Sequence, residues 1–406
     1  MSKKLPKHFC VAPWVATYVD PTGYVSPCCI TRGGVANLNE KSFTDIYSTD
    51  MEDLKQQFLN NKKPDLCMNC WTQEKYYDDS YRKNFNKRYA KEIEDILDSK
   101  YNKKIYYWDL RPSNKCNLSC LMCWEGLSSG VYQFKKDIGI KNLTESKFIE
   151  VKDLNFNDAV KTAKTLVDNA TNNEDFHFYF AGGEPLILEY HHDMLLWLYN
   201  KKHTNVRLRY NTNCSTLKYK GTDFLKIWND WDETVVIDAS IDSAGKPGEM
   251  QRYGSSWSKI KDNLIKLSNA DKIDITYNLT TSFLTYENLI NTINELEEID
   301  GDGLQERLRF NPLTRPAHWD IRMIPQNMLN TDILDELESR GYDVNNLRSV
   351  IVDNYDDFQN HIDEQTPGMT REIMWKEKFE FFDKIKRLKG DDVCDIIPWI
   401  KDINYD

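Results

Sequence analysis

The sequence predicts an α/β fold, in which a partial (β/α)6 barrel of the TIM type follows a small cysteine-rich domain and precedes C-terminal helices. Six apolar, strand-like stretches alternate with helical patterns from residue 105 onward, which indicates parallel strands with right-handed crossovers. Six units are too few for the closed eight-unit barrel, and a doubly wound sheet is the alternative. Eight of the ten cysteines lie before residue 124, and the first five of them, before residue 75, predict the separate N-terminal domain.

Composition narrows the class of protein before any motif is considered. Apolar residues make up 40% of the 406 positions and aromatic residues 12%, so the chain can bury a sizeable core and global disorder is excluded. Charged residues make up 29%, and the lack of a long apolar run excludes a membrane span. The N-terminus has no secretory signal pattern, so we expect a cytoplasmic protein. The net charge of −11 argues against nucleic acid as a partner.

Turn signals and helical spacing divide the chain into four regions. Short extended pieces, Pro and Gly turns and one helix over 43–60 fill the first region. A charged helical connector follows, then the barrel, then surface-packed helices that include one over 373–388. The predicted boundaries are 1–75 for the cysteine-rich domain, 76–104 for the connector, 105–324 for the barrel and 325–406 for the C-terminal helical extension.

The elements of the barrel region follow from periodicity. The carboxyl ends of parallel strands meet on one side of such a barrel, so functional residues are expected there. The predicted strands cover 105–111, 176–181, 206–211, 234–240, 272–280 and 307–311, and the predicted helices between them cover 155–170, 190–202, 224–231, 257–269 and 286–299.

Three cysteines follow the first predicted barrel strand. Cys116, Cys120 and Cys123 have the spacing Cys-x3-Cys-x2-Cys. In a large chain without a secretory signal, clustered cysteines more often hold metal than form disulfides. Three thiolates on one loop can ligate three irons of a cubane cluster and leave the fourth iron open. Zinc is the alternative, but structural zinc takes four ligands, and this loop offers three thiolates and no histidine.

This loop, placed after the first strand of a six-unit barrel, resembles the radical S-adenosylmethionine (SAM) superfamily. The resemblance implies a [4Fe–4S] cluster whose open iron binds SAM, and an oxidoreductase or transformase activity. In that family an electron from the cluster cleaves SAM to a 5′-deoxyadenosyl radical, which abstracts a hydrogen atom from the substrate. The residue before the third cysteine is usually aromatic and packs near the adenine, and Met122 takes that place here.

A second motif closes the next predicted strand. Its four residues are Gly182, Gly183, Glu184 and Pro185. Two glycines at a strand end allow a close backbone approach to a ligand. The run resembles the family's GGEP motif, which implies that its backbone and carboxylate hold the SAM amino group. An ordinary strand-to-helix turn is the alternative.

Further resemblances follow the third and fourth barrel strands. Asn213 lies in a Thr-Asn pair, and Ser240 and Asp242 lie in a Ser-Ile-Asp segment. In the family such side chains reach the ribose or methionine end of SAM. Arg252 resembles an arginine that pairs with the SAM carboxylate. The alternatives are helix caps for Ser240 or Asp242 and a solvated cation for Arg252.

The N-terminal cysteines form a second set. Gly23 lies between Cys10 and Cys28, and Cys67 and Cys70 follow as a Cys-x2-Cys pair. This pattern resembles the twitch/SPASM class of auxiliary domains. The resemblance implies one further [4Fe–4S] cluster held by these four thiolates. Cys29 could replace Cys28, and a four-cysteine zinc site fits the spacing nearly as well. Such domains usually follow the barrel, whereas this one precedes it. Gly23 is predicted to supply a turn with positive φ.

The resemblance also sets expectations for partners. Proteins with this auxiliary domain often modify peptides or proteins, so a peptide or protein substrate is expected, with an electron donor such as flavodoxin or ferredoxin. A dehydrogenase, epimerase or mutase acting on a small metabolite, sugar or nucleotide is the alternative, and a non-catalytic metal-stabilised binding protein is the alternative of another class. No catalytic acid or base can be named. The pairs Asp109/Arg111 and Arg309/Asn311 are candidate substrate contacts or ion-pair networks, and His191 and His192 are predicted to be capping or surface residues.

Overall fold

The computed structural model describes residues 4–76, 79–144, 146–151, 153–171 and 174–403. The chain forms two compact units. The first comprises Met1–Lys115, Phe148–Tyr210 and Trp231–Val235, and the second comprises Cys116–Lys147, Asn211–Asp230 and Val236–Asp406.

The described part of the first unit is built on six strands. They are β1 (Ala16–Val19), β2 (Tyr24–Ser26), β3 (Ala36–Asn37), β4 (Tyr107–Leu110), β5 (His177–Phe180) and β6 (Arg207–Thr212). The order along the sheet is β6-β5-β4-β1-β2-β3. Pairs β1–β4, β4–β5 and β5–β6 are parallel, whereas β1–β2 and β2–β3 are antiparallel.

The two faces of this sheet differ because side chains alternate along each strand. On one face the register aligns Trp108 with Phe178 and Leu208, which are buried. On the other face it aligns Asp109 with Tyr179 and with Arg209. The helices of the unit are Ala12–Val15, Phe43–Ser48, Asp50–Leu59, Met68–Tyr76, Tyr81–Arg88, Ala90–Leu97, Asp153–Asp168 and Glu189–Asn200.

The second unit contains five strands and most of the C-terminal helices. β10 lies between β9 and β11 and pairs with β11 in parallel, and β7 and β8 form a separate antiparallel pair. The strands are β7 (Lys218–Tyr219), β8 (Thr222–Asp223), β9 (Val235–Ser240), β10 (Ile273–Thr281) and β11 (Leu308–Pro312). The helices are Ser129–Asp137, Phe224–Asn229, Gly245–Gln251, Trp257–Ser268, Leu289–Asp300, Leu304–Arg307, Asp332–Ser339, Asn345–Arg348, Phe358–Gln365 and Arg371–Lys389.

The six predicted barrel strands are all present, each within two residues of its predicted bounds. Strands β4, β5 and β6 are neighbours in chain order, and so are β9, β10 and β11. A doubly wound sheet reverses direction at a switch point, whereas a partial barrel adds its strands in chain order. The strand order within each unit therefore agrees with the predicted α/β partial barrel. No helix among the described residues combines the length and apolarity needed to cross a bilayer.

Two local findings differ from expectation. The single helix predicted over 43–60 is wrong, because Thr49 separates Phe43–Ser48 from Asp50–Leu59. The Thr49 hydroxyl donates to the carbonyl of Asp45, so the side chain competes with helical backbone bonds. The second finding concerns the N-terminal hairpin, because β1 pairs in parallel with β4 and so extends the barrel sheet, an arrangement that the sequence pattern did not predict. The predicted domain boundaries remain predictions.

Candidate functional site

The cysteine loop, residues 116–124, lies in the second unit and precedes the helix Ser129–Asp137. It contains the three cysteines of the predicted SAM-binding cluster. These three thiols are half-buried. The neighbouring segments of the second unit determine how the loop is held.

Backbone hydrogen bonds attach the cysteine loop to the chain beside it. The Ser119 N–H donates to the carbonyl of Tyr253 over 2.8 Å, and the Leu121 N–H donates to the carbonyl of Gln251 over 2.8 Å. These two bonds flank Cys120. Because they join main-chain groups, the position of Cys120 depends on the fold of both segments more than on any one side chain.

The helix after the loop approaches it closely on another side. The Ser128 hydroxyl donates to the carbonyl of Leu118 over 2.9 Å, and the Cys116 N–H donates to the Ser129 hydroxyl over 3.1 Å. A Cβ on Gly130 would lie 2.2 Å from the Leu118 carbonyl oxygen. Only glycine therefore permits this contact between helix and loop.

Replacing Gly130 with alanine should displace the cysteine loop, because the methyl group would overlap a backbone carbonyl. We expect reconstituted protein to lose about four irons of about eight, the content of one cubane of two. Iron analysis after anaerobic reconstitution measures this. Gly303→Ala is the matched control, since its nearest contact is an ordinary 3.7 Å. Full iron content in Gly130→Ala would show that the close approach is not required.

An ion pair stands beside the loop. Arg252 Nη1 lies 3.9 Å from Cys120 Sγ, while its Nη2 donates to Asp242 Oδ1 over 2.9 Å and its Nε lies 2.8 Å from Oδ2. The Gln251 side chain and the Thr280 N–H also donate to Asp242, over 2.9 and 3.0 Å. Burial tends to lower the pKa of Arg252, but the Asp242 charge outweighs it and the pKa is raised. The guanidinium therefore remains charged next to Cys120.

The thiols of the loop influence one another. Burial raises the pKa of Cys120 to about 12, the Arg252 cation lowers it, and the negative charges of Cys116 and Cys123 raise it again. Burial is also the main cause of the raised pKa of Cys123. Buried neighbouring thiols release their protons when a metal binds them. This donor set fits a cluster with three thiolate ligands.

A cavity of about 660 Å³ opens beside the cysteine loop within the second unit. We call it the loop cavity. Its volume lies within the range of small-ligand pockets. Its lining includes Cys120, Met122, Cys123, Phe134, Trp319 and Lys378.

The predicted GGEP turn lies in the first unit, where both glycines have positive φ, +78° for Gly182 and +55° for Gly183. A Cβ on Gly183 would lie 2.2 Å from the Lys115 carbonyl oxygen. The Glu184 N–H donates to that same oxygen over 2.9 Å. The glycines are thus needed for a close approach between two backbone segments of the protein, and the predicted approach to a ligand stays a prediction.

Glu184 has a structural contact of its own. Its buried carboxylate accepts from the Leu186 N–H over 3.1 Å and caps the short 3-10 turn Pro185–Ile187. This is the turn that was kept as the alternative to a SAM contact. The assignment of residues 182–185 to SAM remains a prediction.

The N-terminal cysteines meet at one cavity of the first unit. Aromatic side chains, among them Phe58 and Phe85, line it together with the Arg82 guanidinium. Arg82 is fixed there, because it donates to both carboxylate oxygens of Glu74 over 2.9 and 2.7 Å. The thiols that line this cavity belong to Cys10, Cys28, Cys67 and Cys70.

These four thiols are electrostatically coupled. Burial raises the pKa of Cys67 to about 12, and the charges of Cys28 and Cys70 raise it further. The pKa of Cys10 is raised by burial and by the charges of Cys67 and Cys70. Four thiolates in one apolar cavity with one nearby cation fit a metal cluster, which would compensate their charge. In the described part of the chain, no three His, Cys, Asp or Glu side chains are arranged to hold a single metal ion, so this fit rests on the shared lining.

Cys29 points to a different environment from Cys28. Its thiol lies 3.9 Å from the Tyr81 hydroxyl, and its pKa is raised by burial and by the Asp109 charge. The structure therefore places Cys28 with the other three cysteines and Cys29 near the polar face of the sheet.

We expect Cys28→Ser to lose about four of about eight irons, the share of one cubane. Cys29→Ser is the matched control and should keep them all, because Cys29 is not among the residues that line the four-thiol cavity and only contacts the hydroxyl of Tyr81, which does line it. Iron and sulfide analysis of both reconstituted variants measures the difference. Loss of four irons from Cys29→Ser, with full iron content in Cys28→Ser, would make Cys29 the ligand.

The remaining predicted site residues occupy varied places. Buried Asp109 and half-buried Arg111 form an ion pair at 2.8 Å, which was the alternative to a substrate contact. The guanidinium stacks over the rings of Tyr18 and Tyr179, with centroid distances of 5.0 and 5.5 Å. Arg309 is exposed, and it donates to backbone carbonyls of its own segment.

Asn213 lies in the second unit and is buried. Its amide donates to the Asn117 side chain over 3.0 Å and accepts from the Ser215 N–H over 2.9 Å. It therefore ties the stretch after β6 to the cysteine loop. Ser240 is half-buried at the last position of β9, and Asn311 is exposed on β11.

Two histidines were placed wrongly from sequence. His191 and His192 are buried, at 0% and 9% exposure, instead of capping the helix or facing solvent. His191 contacts the Tyr210 hydroxyl at 3.1 Å on the inner side of the helix Glu189–Asn200. Burial lowers the pKa of His191 to about 3, so it is a neutral core residue at ordinary pH.

Sequence reasoning missed two supporting residues. Gln251 was not considered, although its side chain bridges Asp242 and the carbonyl of Thr280. Gly130 was also passed over, because its role depends on the distant Leu118 carbonyl. The position of Gln251 directly before Arg252 is the one signal that was available.

Residues 10–71 match the family model of SPASM, described as an iron–sulfur cluster-binding domain. This confirms the cluster-binding domain predicted for the N-terminal cysteines. No curated protein matches the sequence.

Two groups of solved structures are similar at low identity. The structure of anSMEcpe with bound AdoMet and Cp18Cys peptide is 15% identical, covers 60% of this chain and 64% of its own, and has a TM-score of 0.38. SuiB of Streptococcus suis bound to precursor peptide SuiA is 13% identical, covers 81% of this chain and 70% of its own, and has a TM-score of 0.38. The chain thus spans less than two thirds of the length of anSMEcpe. Similarity at this level supports no conclusion about reaction or substrate.

Proposed function

We propose that this chain is a radical SAM enzyme with one SAM-binding [4Fe–4S] cluster on Cys116, Cys120 and Cys123 and one auxiliary cluster at the N-terminus. The observation that carries the proposal is the cysteine loop, in which three coupled thiols stand beside the Arg252 cation, whose side chain is 11% exposed. When bound, cluster and SAM would supply a 5′-deoxyadenosyl radical for hydrogen abstraction from the substrate.

The residues of the chain position and insulate this site. Backbone bonds on either side of Cys120 fix its thiol, and Arg252 adds a positive charge that stabilises a thiolate. Asp242 orients the guanidinium through two contacts. A charged group held in advance needs little rearrangement when an anionic ligand arrives.

The SPASM match supports the auxiliary cluster. Four cysteines line the N-terminal cavity, so every iron of a cubane would have a protein ligand. A closed cluster of that kind suits electron transfer or substrate orientation better than direct ligation of substrate.

We infer that the substrate is a peptide or protein, since SPASM-like domains accompany that class of reaction in the resembling family. An electron donor such as flavodoxin or ferredoxin would reduce the cluster. A small metabolite, sugar or nucleotide is the second candidate substrate.

The test is the release of 5′-deoxyadenosine from SAM by anaerobically reconstituted, dithionite-reduced protein. Slow release without substrate is the expected result. Colourless, zinc-loaded protein that releases none would overturn the proposal in favour of a metal-stabilised binding protein. Brown protein with about eight irons that releases none would contradict the SAM-cleaving role of the cysteine loop.

A further inference from the structure

Lys378 interrupts the apolar stripe of the C-terminal helix Arg371–Lys389. The other buried residues on this stripe are Met374, Trp375, Phe382 and Ile385, and Lys378 itself is only 3% exposed. These buried residues have the spacing of a helix face turned to a core, where an apolar side chain is expected in place of a lysine. A buried charge is costly unless it is paired, so this lysine requires an explanation.

The surroundings of the ammonium are aromatic. Lys378 Nζ lies 3.3 Å from the ring centroid of Trp319 and 5.4 Å from that of Phe283, and the two rings stack in parallel. Such cation–π contacts compensate part of the lost hydration. Burial still lowers the pKa of Lys378 well below its ordinary value.

Among the residues that the structure describes, no carboxylate oxygen lies within 4.0 Å of Lys378 Nζ. Glu377 is the adjacent acid, but its carboxylate pairs with His318 at 3.0 Å. Lys135, another cation of the same cavity, pairs with Glu125 at 2.7 Å. Glu380 and Lys384 also line the cavity, but Glu380 is exposed and Lys384 is half-buried. Among the described lining residues, Lys378 is therefore the buried cation that has no carboxylate partner.

Lys378 lines the loop cavity together with the cysteine loop itself. The walls are largely apolar, and the aromatic side chains of Trp124, Phe134, Trp319 and Phe381 are among them. A site with apolar walls and one buried ammonium suits a ligand that carries a single negative charge on an apolar or aromatic body. A desolvated ion pair of this kind gives both affinity and orientation.

We infer that the loop cavity is a subsite for a carboxylate carried on an aromatic or apolar group, and that Lys378 binds this carboxylate. The inference rests on the proposed function in one respect: if the cysteine loop binds the SAM-cleaving cluster, a ligand in the adjacent loop cavity is the substrate. The carboxylate could belong to the end of a peptide or to a free organic acid, and the two sources are separable by experiment.

Binding calorimetry on the reconstituted full chain tests the inference. The probes are N-acetylphenylalanine, which mimics a peptide end, and phenylacetate, which mimics a free acid, each compared with its neutral amide. We expect the acids to bind at least tenfold more tightly than the amides. Tighter binding of N-acetylphenylalanine than of phenylacetate would assign the carboxylate to a peptide, and the reverse order to a free acid.

The Lys378→Met variant keeps the length of the side chain and removes the charge. We expect its affinity for the preferred acid to fall at least tenfold, while its melting temperature stays equal or rises, because an unpaired buried charge is removed. A purely structural cation–π role would give the opposite pattern, with a lower melting temperature and unchanged affinity. Lys378→Gln provides the same comparison if Lys378→Met does not fold.

Three results would overturn the inference: no binding of either acid to the wild type, equal affinity for acid and amide, or equal affinity in the variant. SAM cleavage is measured on the wild type in a separate assay. Acid binding through Lys378 without SAM cleavage would leave the subsite in place and contradict the radical SAM proposal. SAM cleavage without acid binding would support the radical SAM proposal and contradict the carboxylate subsite.

Discussion

Cys120→Ala is expected to abolish 5′-deoxyadenosine release while the N-terminal cluster stays in place. Cys120 is the middle ligand of the proposed cluster and lies next to Arg252. Its loss leaves two thiols on the loop, too few for a cubane with one open iron. The iron content should fall from about eight to about four, and the remaining four should keep the spectrum of a closed cluster. Release assays and iron analysis on the same sample measure both effects.

Cys394→Ala is the matched control for this experiment. Cys394 is a half-buried cysteine far along the chain from both predicted ligand sets, near the C-terminal end. It should retain both clusters and full release. If Cys120→Ala still released 5′-deoxyadenosine, the assignment of the cysteine loop as the SAM-binding site would be wrong.

Arg252→Gln should destabilise the second unit severely. The substitution leaves the Asp242 carboxylate, which is 0% exposed, without its cationic partner. Removing one partner of a buried ion pair costs about 3–5 kcal/mol, which corresponds to a decrease of about 4–6 °C in melting temperature for a chain of this size. Calorimetry or circular dichroism measures the shift. The loss of the cation beside Cys120 should also weaken cluster retention at the loop.

Two comparison variants test whether the loss of stability in Arg252→Gln comes from leaving a buried charge unpaired. Arg348→Gln removes a cation from a pair with exposed Asp335 and should change the melting temperature by no more than about 2 °C, as surface pairs contribute little. The double variant Asp242→Asn/Arg252→Gln should recover part of the stability, since it leaves no buried charge. Equal effects of Arg252→Gln and Arg348→Gln would contradict the buried-pair explanation.

The regular elements of the barrel region could be predicted because their signal is local. Predicted strand 234–240 and observed strand Val235–Ser240 differ by one residue at one end, and the bounds of the other five strands agree within two residues. Periodicity failed at Thr49, where a hydroxyl competes for backbone bonds. It also failed for His191 and His192, because a polar residue on a helix face gives no indication of which neighbour covers it.

The sequence predicted which residue types form the candidate site, but it predicted only some of the contacts between them. Spacing identified the three loop cysteines, and glycine content identified the tight turn at Gly182 and Gly183, where both φ angles are positive. The Asp242–Arg252 contact joins two residues that were named separately as SAM contacts. Their mutual pairing could not be read from spacing, since it depends on how the strand end and the following helix end pack.

The sequence by itself determined the alternation of strands and helices, the two sets of clustered cysteines and the positive-φ glycines, because periodicity, spacing and backbone sterics act over a few residues. Only the tertiary structure decided that Cys28 and not Cys29 joins the four-thiol cavity, that Gly130 must lack a side chain and that Lys378 lies buried among aromatic rings. Each of these depends on a partner that is distant along the chain. The direction of a side chain, the close approach of two backbone segments and the pairing of charges all follow from tertiary packing. The order of residues along the chain does not specify that packing directly.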